Sequence, residues 1–248
     1  MAPRITIREL STAADYAACV ALQKETWGQS FTECVPATML KIAQQLGGVA
    51  AGAFEDDLLV GFVFGLTGLR DRRIIHWSDM LAVRGPYRNR GIGEQLKRYQ
   101  RSTMLARGVD RVLWTFDPLD AKNAHINFNR LGVYAREYVV DMYGDTSSPL
   151  HEGIGTDRLI VTWELASPRV DARLAGQTLA AVNAAAIRIE IPVDIHALKR
   201  ADLQHAKLWR LRTREAFLKY LPDYVVVGFS RSDAGGCYEL TSAASFAT

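Results

Sequence analysis

The stretch from residue 80 to residue 107 constrains the fold of this chain most, because it joins an apolar strand to a glycine loop and a helix. The strand Met80-Leu81-Ala82-Val83 leads into the turn Gly85-Pro86, and two glycines open a helical pattern that runs to Arg107. The loop reads Arg88-x-x-Gly91-x-Gly93. Glycines let the backbone curl so that several N–H groups point into one concavity, and the helix start adds about half a positive charge. The pattern predicts an anion site, which a diphosphate fits best.

The charges around this loop support the same interpretation. Between residues 84 and 101, Glu94 is the one acidic residue, against six basic ones: Arg84, Arg88, Arg90, Lys97, Arg98 and Arg101. The spacing differs from two other phosphate-binding motifs. There is no G-x-x-x-x-G-K-[ST], and Arg88 stands where G-x-G-x-x-G needs its first glycine. A glycine turn that simply caps an ordinary helix is the alternative to an anion site.

The composition excludes several classes of protein. With 48% hydrophobic and 23% charged residues the chain is typical of a globular domain, and a net charge of +3 is too small for a dense nucleic-acid-binding face. The sequence has neither an N-terminal signal core nor a run of eighteen apolar residues. Its three widely spaced cysteines favour a reducing compartment. We therefore expect a cytoplasmic protein with no membrane and no nucleic-acid partner.

Hydrophobic periodicity predicts an α/β chain with the element order β-α-α-β-β-β-α-β-α-β-β, complete by about residue 165. Thr12 or Asp15 is placed to cap the first helix, and Gly47-Gly48 ends the second. The predicted strands are a first one around Ile5 and Ile7, then residues 49–54, 58–66, 74–83, 109–116, 138–143 and 159–165. The later helices cover residues 92–107 and 121–131.

A tail follows Ser167-Pro168. It contains an alanine-rich spacer at residues 174–186, an alternating strand at 188–193, a long helical region and an apolar run at 224–229. A β-α-β unit of this size is too small to be secure alone. We expect residues 167–248 to form a C-terminal extension that packs on a main domain of residues 1–166 or on a second copy of the chain, as a homodimer.

Three motifs together resemble the GNAT superfamily of N-acetyltransferases. They are Arg88-x-x-Gly91-x-Gly93, the strand Met80–Val83 at a fixed distance before it, and Asn123-Ala124-His125-Ile126-Asn127-Phe128-Asn129-Arg130-Leu131-Gly132-Val133. The last is similar to the family's Asn-Ala-x-x-x-Tyr-x-x-Leu-Gly-Phe stretch. The segment Trp114-Thr115-Phe116-Asp117-Pro118-Leu119, with the long tail, also resembles a sparsely characterised branch of predicted acetyltransferases. The resemblance implies a mixed sheet whose fourth and fifth strands splay apart.

The same resemblance implies acetyl-CoA as the cofactor and the residues that hold it. Pantetheine would pair with the main chain of Leu81, Ala82 and Val83, and Asn123 would contact the cofactor arm. The pyrophosphate would lie on the amides of Arg88, Asn89, Arg90, Gly91, Ile92 and Gly93. Phe128 is counted with the cofactor residues. The acceptor would be a small-molecule amine or a peptide amine, and no metal is expected because His196 and His205 lack metal-ligand spacing.

Acetyl transfer to an amine needs a base, an oxyanion site and a proton source. Asp79 is our candidate base, because it precedes the cofactor strand and shares a face with Trp77 and Leu81 if the strand alternates regularly. An Asp79 that only forms a salt bridge at the sheet rim is the alternative. The Leu81 N–H is the candidate oxyanion donor. Phe128 occupies the place of the family's acid, a tyrosine, so that role is open.

Several other residues are candidates for catalytic or structural roles. Tyr143 ranks first as a substitute acid, ahead of Tyr134 and Tyr138. His76 is better explained as a structural histidine and Asp117 as part of an Asp-Pro turn. The arginines at positions 210, 212 and 214 form either a solvated helix face or a contact to an anionic group.

The sequence thus predicts an acetyl-CoA-dependent N-acetyltransferase that works by direct transfer in a ternary complex. A catalytically inactive CoA or acyl-CoA binding module is the first alternative, because Phe128 cannot donate a proton. An RNA-associated protein and an enzyme that transfers to oxygen or uses longer acyl chains are the others.

Overall fold

A computed structural model describes residues 5–144, 153–179, 187–233 and 235–246 of the chain. The chain divides into two compact units between residues 112 and 113. We call the described residues up to 112 unit 1 and those from 113 onward unit 2, so the predicted domain boundary after residue 166 falls inside unit 2. Both units combine helices with strands, which confirms the predicted α/β class. In the described ranges, no helix has the length and apolar character needed to cross a membrane.

Unit 1 is a four-stranded antiparallel sheet with three helices. The elements are β1 (Ile5–Glu9), α1 (Ala13–Trp27), α2 (Ala37–Gln45), β2 (Val49–Glu55), β3 (Leu58–Arg70), β4 (Arg73–Val83) and α3 (Ile92–Ala106). Each strand pairs with the next one in the chain, in the order β1-β2-β3-β4. Two helices therefore separate the first strand from the second, and a meander leads to the glycine loop, as the sequence predicts.

The core of unit 1 lies between one face of this sheet and the helices α1 and α2. Phe62 and Phe64 of β3 and Met80 of β4 pack with Leu22 of α1 and Leu40 of α2, all of them buried. Burying a side chain of this size contributes about 1.5–3 kcal/mol. This packing fixes β4, which carries the predicted cofactor strand, to the rest of the unit.

β4 carries one extra residue opposite β3. Two consecutive residues of β3 lie opposite Met80 and Ser78, so Asp79 between them has no partner in β3. Such a β-bulge disrupts the alternation of side chains. Met80 packs in the core with α1 and α2, whereas Ser78 accepts a hydrogen bond from Lys97 of α3 on the opposite face. The expectation of a regularly alternating strand is therefore wrong, and the irregularity falls on the candidate base.

Unit 2 extends from the second half of β5 (Arg111–Phe116) to the end of the described chain. Its helices are α4 (Ala121–His125), which continues as a π-helical turn (Ile126–Leu131), α5 (Pro168–Leu174), α6 (Ile195–Ala201) and α7 (Leu203–Tyr220). Its further strands are β6 (Tyr134–Val139), β7 (Arg158–Glu164), β8 (Ile187–Ile191), β9 (Tyr224–Ser232) and β10 (Gly235–Ser242). The order β7-β6-β9-β10-β8 shows that the strands of the C-terminal extension continue the sheet that β6 and β7 begin.

Two strand predictions for unit 2 are wrong. The strand predicted at residues 138–143 is β6 at Tyr134–Val139, and Tyr143 lies in the turn that follows. The carboxylate of Asp157 explains where β6 ends, because it accepts hydrogen bonds from the Tyr138 hydroxyl and the Asp141 N–H. The sequence analysis also missed β10, whose side chains Tyr238 and Leu240 are fully buried. Residues 180–186 of the predicted spacer lie outside the described residues.

Candidate functional site

The loop between β4 and α3 has the curled backbone that the glycine pattern predicts. A 3₁₀ turn (Gly85–Tyr87) follows β4, and Gly91 is the N-cap of α3 with φ +76°. Asn89 is also left-handed, with φ +63°. The side chain of Arg88 turns back, and its Nε donates to the Val83 carbonyl at 3.0 Å. Left-handed residues on both sides of Arg90 bend the main chain into the concave shape of a backbone nest.

The electrostatics of this loop suit an anion. Residues 88–91 are exposed, and no side chain of the described chain caps the start of α3. The first N–H groups of a helix have no acceptor inside the helix, and they carry the positive end of its dipole. Glu94, the acidic residue of the first turn, is engaged by Arg98 at 2.8 Å. The loop can therefore present N–H groups and positive charge to a bound anion.

The two glycines of the motif differ in how strictly the fold requires them. Gly91 has a left-handed backbone, which costs other residues about 1–2 kcal/mol. Gly93 is not left-handed, and a Cβ built on it would lie 3.6 Å from Cδ2 of Leu81, an ordinary van der Waals contact. The fold of unit 1 thus needs glycine at position 91 and tolerates a small side chain at position 93.

The main chain of β4 distinguishes between the three residues predicted to pair with pantetheine. The Arg84 N–H donates to Val60 O at 2.8 Å, which marks a hydrogen-bonded pair of the antiparallel ladder with β3. Hydrogen-bonded and non-bonded pairs alternate along such a ladder. Ala82, opposite Phe62, therefore directs its N–H and C=O to β3, while Leu81 and Val83 direct theirs away from it. The main-chain groups of Ala82 are thus used within the sheet, and the cofactor contacts of Leu81 and Val83 stay predictions.

Asp79 lies at the bulge with its side chain exposed to solvent. Protein atoms nevertheless displace much of the surrounding water, and this desolvation raises the pKa of Asp79 above the ordinary carboxyl value. The nearby Glu33 raises it further, and a hydrogen bond to the Trp77 side chain opposes part of the shift. A carboxylate with a raised pKa is a stronger base than an ordinary aspartate, and it remains reachable from solvent.

A buried polar network lies on the α3 face of β4. Lys97 Nζ donates to Ser78 Oγ at 2.8 Å and to Gln100 Oε1 at 3.2 Å, and the Gln100 amide lies 2.9 Å from His76 Nε2. His76 Nδ1 is 3.0 Å from Thr67 Oγ1. Burial lowers the pKa of Lys97 to about 7, and burial together with the Lys97 charge lowers the pKa of His76 to about 3. His76 is thus a neutral structural residue, as the sequence analysis favoured.

In unit 2, Asn123 and Phe128 have different surroundings. Asn123 is exposed in the first turn of α4, where Asp120 accepts hydrogen bonds from its N–H at 3.0 Å and from its side-chain amide at 2.9 Å. Phe128 is completely buried, with edge-on contacts to Phe116 and Tyr238. Phe128 therefore has no surface for a cofactor contact in this structure and acts as a packing residue, whereas Asn123 can reach a ligand.

The three tyrosines considered as acids also differ. Tyr143 is 42% exposed, and its hydroxyl lies 2.9 Å from Thr115 Oγ1. The Tyr138 hydroxyl donates to Asp157 at 2.6 Å, and burial together with this carboxylate raises its pKa. Tyr134 is buried and donates to a glutamate of β7 at 2.9 Å. Tyr143 is the one of the three whose hydroxyl is not committed to a carboxylate.

The sequence analysis missed a buried ion pair of unit 2. Of the two alternatives for Arg210 of α7, the solvated helix face is wrong, because the residue is 3% exposed and its Nη2 lies 2.7 Å from Asp117 Oδ2. Arg214, one turn further along α7, pairs with the fully buried Asp157 at 2.7 Å. Burial, the largest single effect, raises the pKa of Asp117, but the charge and hydrogen bond of Arg210, the Leu119 N–H and the Arg158 charge together outweigh it, and the pKa lies below its usual range. The position of Arg210, seven residues before the buried Phe217, is the sequence signal that could have placed it on the buried face.

The predicted residues fall into two groups. Unit 1 holds Asp79, the cofactor strand and the whole loop in one continuous β4–loop–α3 segment, and unit 2 holds Asn123, Phe128 and Tyr143. Within unit 1 the structure thus joins a base candidate, outward-facing main-chain groups and a curled loop. This combination can bind an anionic ligand at the loop and accept a proton at Asp79 Oδ.

A known family model matches a range that contains this β4–loop–α3 segment. Residues 16–132 match the model described as acetyltransferase (GNAT) family. A comparison with curated proteins finds no match.

Solved structures with the same fold include acetyltransferases with different acceptors. One is the ribosomal-protein-S18-alanine N-acetyltransferase from Escherichia coli, with 16% identity over 66% of this chain and 96% of that chain and a TM-score of 0.51. Another is aminoglycoside 6'-acetyltransferase type Ii, with 17% identity over 65% and 98% and a TM-score of 0.51. The NatC complex bound to Gag peptide and CoA has 15% identity over 64% and 98% and a TM-score of 0.50. At such identities the likeness shows the fold alone.

Proposed function

We propose that the chain, whose residues 16–132 match the GNAT acetyltransferase family model, is an acetyl-CoA-dependent N-acetyltransferase of that superfamily. The acetyl group passes directly from the thioester to a primary amine while both substrates are bound. The related fold occurs in an enzyme complex bound to CoA and a peptide and in an aminoglycoside acetyltransferase. We therefore propose a peptide or small-molecule amine as the acceptor.

The observation that carries this proposal is the geometry of the loop between β4 and α3. Its left-handed residues Asn89 and Gly91, its exposed position and the uncapped helix start form a cradle for a diphosphate, the group that CoA offers and most small metabolites lack. The contacts are made by main-chain N–H groups, so they depend on the backbone conformation of the loop rather than on particular side chains. Arg88 is held back against Val83 O and supports the curl.

The strand before the loop supplies the groups that position the thioester. Leu81 and Val83 direct their main-chain groups away from β3, and apart from the Val83 carbonyl, which accepts from Arg88 Nε, we assign these groups to an extended ligand that continues the ladder. We assign the Leu81 N–H to the oxyanion of the tetrahedral species. Such a donor accelerates the reaction only if it is aimed at that species rather than at the ground-state carbonyl.

Proton transfer from the amine is the step assigned to Asp79. An alkylamine has a pKa near 10.4, so its neutral form is scarce at pH 7 by about 3.5 units, or roughly 4–5 kcal/mol of barrier. Asp79 Oδ accepts this proton directly or through one water. Its raised pKa and its exposed position at the bulge support this role.

The departing thiolate needs less help. A thiol has a pKa near 8.5, so the thiolate is a tolerable leaving group near neutral pH. Phe128 cannot protonate it, and we propose Tyr143 as the proton donor, on the ground that this residue is 42% exposed and its hydroxyl lies against the neutral Thr115. Transfer continues more slowly if this proton comes from water.

Two measurements test the proposal. Calorimetry with CoA and acetyl-CoA should detect binding to the wild type, and thiol release should depend on an added amine from a panel of polyamines, aminoglycosides and short peptides. Asp79→Asn should lower kcat about 100-fold or more and leave the Kd for CoA unchanged. Asp57→Asn, which changes an exposed aspartate in the β2–β3 turn of the same unit, is the matched control and should leave both values unchanged.

The outcomes separate this function from its nearest alternative. CoA binding without turnover of any amine would favour the inactive CoA-binding module that the loss of the family's tyrosine suggests. A wild type that binds no CoA would refute the cofactor assignment itself. Equal activity of wild type and Asp79→Asn would remove Asp79 as the base while leaving the transfer reaction in place.

A further inference from the structure

The C-terminal extension makes three polar contacts with one four-residue turn. This turn, residues 117–120, joins β5 to α4. Arg210 Nη2 of α7 lies 2.7 Å from Asp117 Oδ2, and the Tyr238 hydroxyl of β10 donates to Pro118 O at 2.6 Å. His196 Nε2 of α6 lies 3.8 Å from Asp120 Oδ2. Three elements of the extension thus contact a turn that precedes them by 76 to 120 residues.

The turn at residues 117–120 also orients the start of α4. Asp117 Oδ1 accepts a hydrogen bond from the Leu119 N–H at 2.9 Å, which closes the turn on itself. Asp120 then caps α4 by accepting from the N–H groups of Lys122 and Asn123, each at 3.0 Å. Its other oxygen accepts from the side-chain amide of Asn123 at 2.9 Å. The direction of the Asn123 side chain therefore depends on where the turn is held.

Arg210 is built into this arrangement more firmly than an ordinary surface arginine. It is 3% exposed, its Nε donates to Ile154 O at 3.0 Å, and its Nη2 bonds Asp117. The carboxylate is 12% exposed, and its pKa lies below the usual range because the charge and hydrogen bond of Arg210, with smaller effects of the Leu119 N–H and the Arg158 charge, together outweigh the larger single effect of burial. A buried pair of opposite charges with fixed hydrogen bonds holds one geometry and resists rearrangement.

We propose that Arg210 is a positioning residue for the acetyltransferase site. Through Asp117 it fixes the turn that opens α4, and through the turn it fixes Asn123, the residue expected to contact the cofactor arm. The inference rests on the proposed function, because Asn123 matters only if the chain binds CoA. It gives the C-terminal extension a task in cofactor binding, in addition to lengthening the sheet of unit 2.

Arg214 provides a matched control. It lies one turn along the same helix and makes an ion pair of the same length, 2.7 Å, with the fully buried Asp157, but it does not touch residues 117–120 in the contacts of the described chain. Arg210→Gln and Arg214→Gln each remove one guanidinium from a buried carboxylate. If Arg210 has a purely structural role, both variants should change the Kd for CoA to a similar extent once each change is scaled to the variant's loss of Tm.

The experiment measures the Kd for CoA by calorimetry on the full-length variants, together with Tm. Arg210→Gln should raise the Kd about tenfold, while Arg214→Gln should change it less than about twofold. Asn123→Ala should raise the Kd to a similar extent as Arg210→Gln. In the double variant Arg210→Gln/Asn123→Ala, the Arg210 change should add little, since both act through the same contact. If Arg210→Gln fails to fold, Asp117→Asn removes the same pair with less change in volume and takes its place.

Each result decides between the proposals. Independent, multiplicative effects of the Arg210 and Asn123 changes would overturn the positioning role, and so would an Arg210→Gln or Asp117→Asn protein that binds CoA as the wild type does. Equal effects of Arg210→Gln and Arg214→Gln would reduce Arg210 to a stability residue. A wild type that binds no CoA would instead refute the proposed function.

Discussion

The sharpest test of the loop uses Gly93, because the fold tolerates a side chain there whereas a bound diphosphate would be repelled by a negatively charged one. Gly93 is the second residue of α3, and its backbone is not left-handed. Gly93→Asp places a carboxylate in the first turn of a helix, which stabilises a helix by about 0.3–1 kcal/mol and adds a few tenths from helix propensity. The variant should therefore unfold at the same temperature as the wild type or a few degrees higher.

The same carboxylate should oppose CoA. At a separation of about 5 Å and an effective dielectric constant of about 20, two unit charges repel by on the order of 3 kcal/mol. Every 1.4 kcal/mol corresponds to tenfold in affinity, so the Kd for CoA should rise about 100-fold at low salt. The difference should shrink as ionic strength increases, because exposed charges are screened.

Two further variants separate charge from size. Gly93→Asn has the same shape as Gly93→Asp without the charge and should cost about tenfold or less in affinity. Gly93→Ala adds only a methyl group at 3.6 Å from Leu81 and should bind CoA as the wild type does. Calorimetry with CoA and thermal unfolding on all four proteins checks these values. Equal Kd values for Gly, Asn and Asp at position 93 would refute the assignment of this loop to the diphosphate.

Three other predictions follow from buried or bulged groups. The pKa of Lys97 is lowered from 10.5 to about 7, so between these pH values the unfolded chain binds more protons than the folded one. The free energy of unfolding in urea should therefore rise from pH 7 to pH 9.5 by about 1–3 kcal/mol more in the wild type than in Lys97→Met. Equal pH slopes in the two proteins would contradict this prediction. The pKa of Asp79 is raised in the folded state, so ionisation of this carboxyl lowers the stability as pH rises from its unfolded pKa through its folded pKa. Asp79→Asn should therefore raise Tm at pH 7, and the difference from the wild type should shrink in acid. An unchanged Tm at pH 7 would count against the raised pKa. Phe128→Tyr should not increase kcat, because the new hydroxyl would be buried between Phe116 and Tyr238. Chemical denaturation should show that the free energy of unfolding falls by about 1–3 kcal/mol. A gain in kcat would instead indicate that a tyrosine at this position acts as the acid.

Much of unit 1 could be predicted from local sequence signals. Thr12 caps α1 and forms a capping box with Asp15, and Gly91 opens α3 in a left-handed conformation. The hairpin, the strand before the loop and the helix after it lie where hydrophobic periodicity and glycine placement put them. These features depend on residues within one or two turns of each other, so a single sequence is enough to read them.

The departures involve residues that are far apart in the chain. The bulge that exposes Asp79 arises from the register between β3 and β4, and it moves the side chains on its two sides to opposite faces. The end of β6, and with it the position of Tyr143, depends on the carboxylate of Asp157. The local hydrophobic pattern does not depend on the register with β3 or on the position of Asp157, so the sequence analysis predicted a regular strand in both places.

The sequence by itself determined the loop, the order of the elements in unit 1 and the resemblance to GNAT acetyltransferases, because glycine conformation, capping and hydrophobic spacing act between near neighbours. The tertiary structure alone decided which main-chain groups of β4 face away from β3, that Phe128 is a packing residue, and that Arg210 is buried against Asp117. Burial and ion pairing depend on which distant segments meet, and a buried charge is stable only when its partner arrives from elsewhere in the fold.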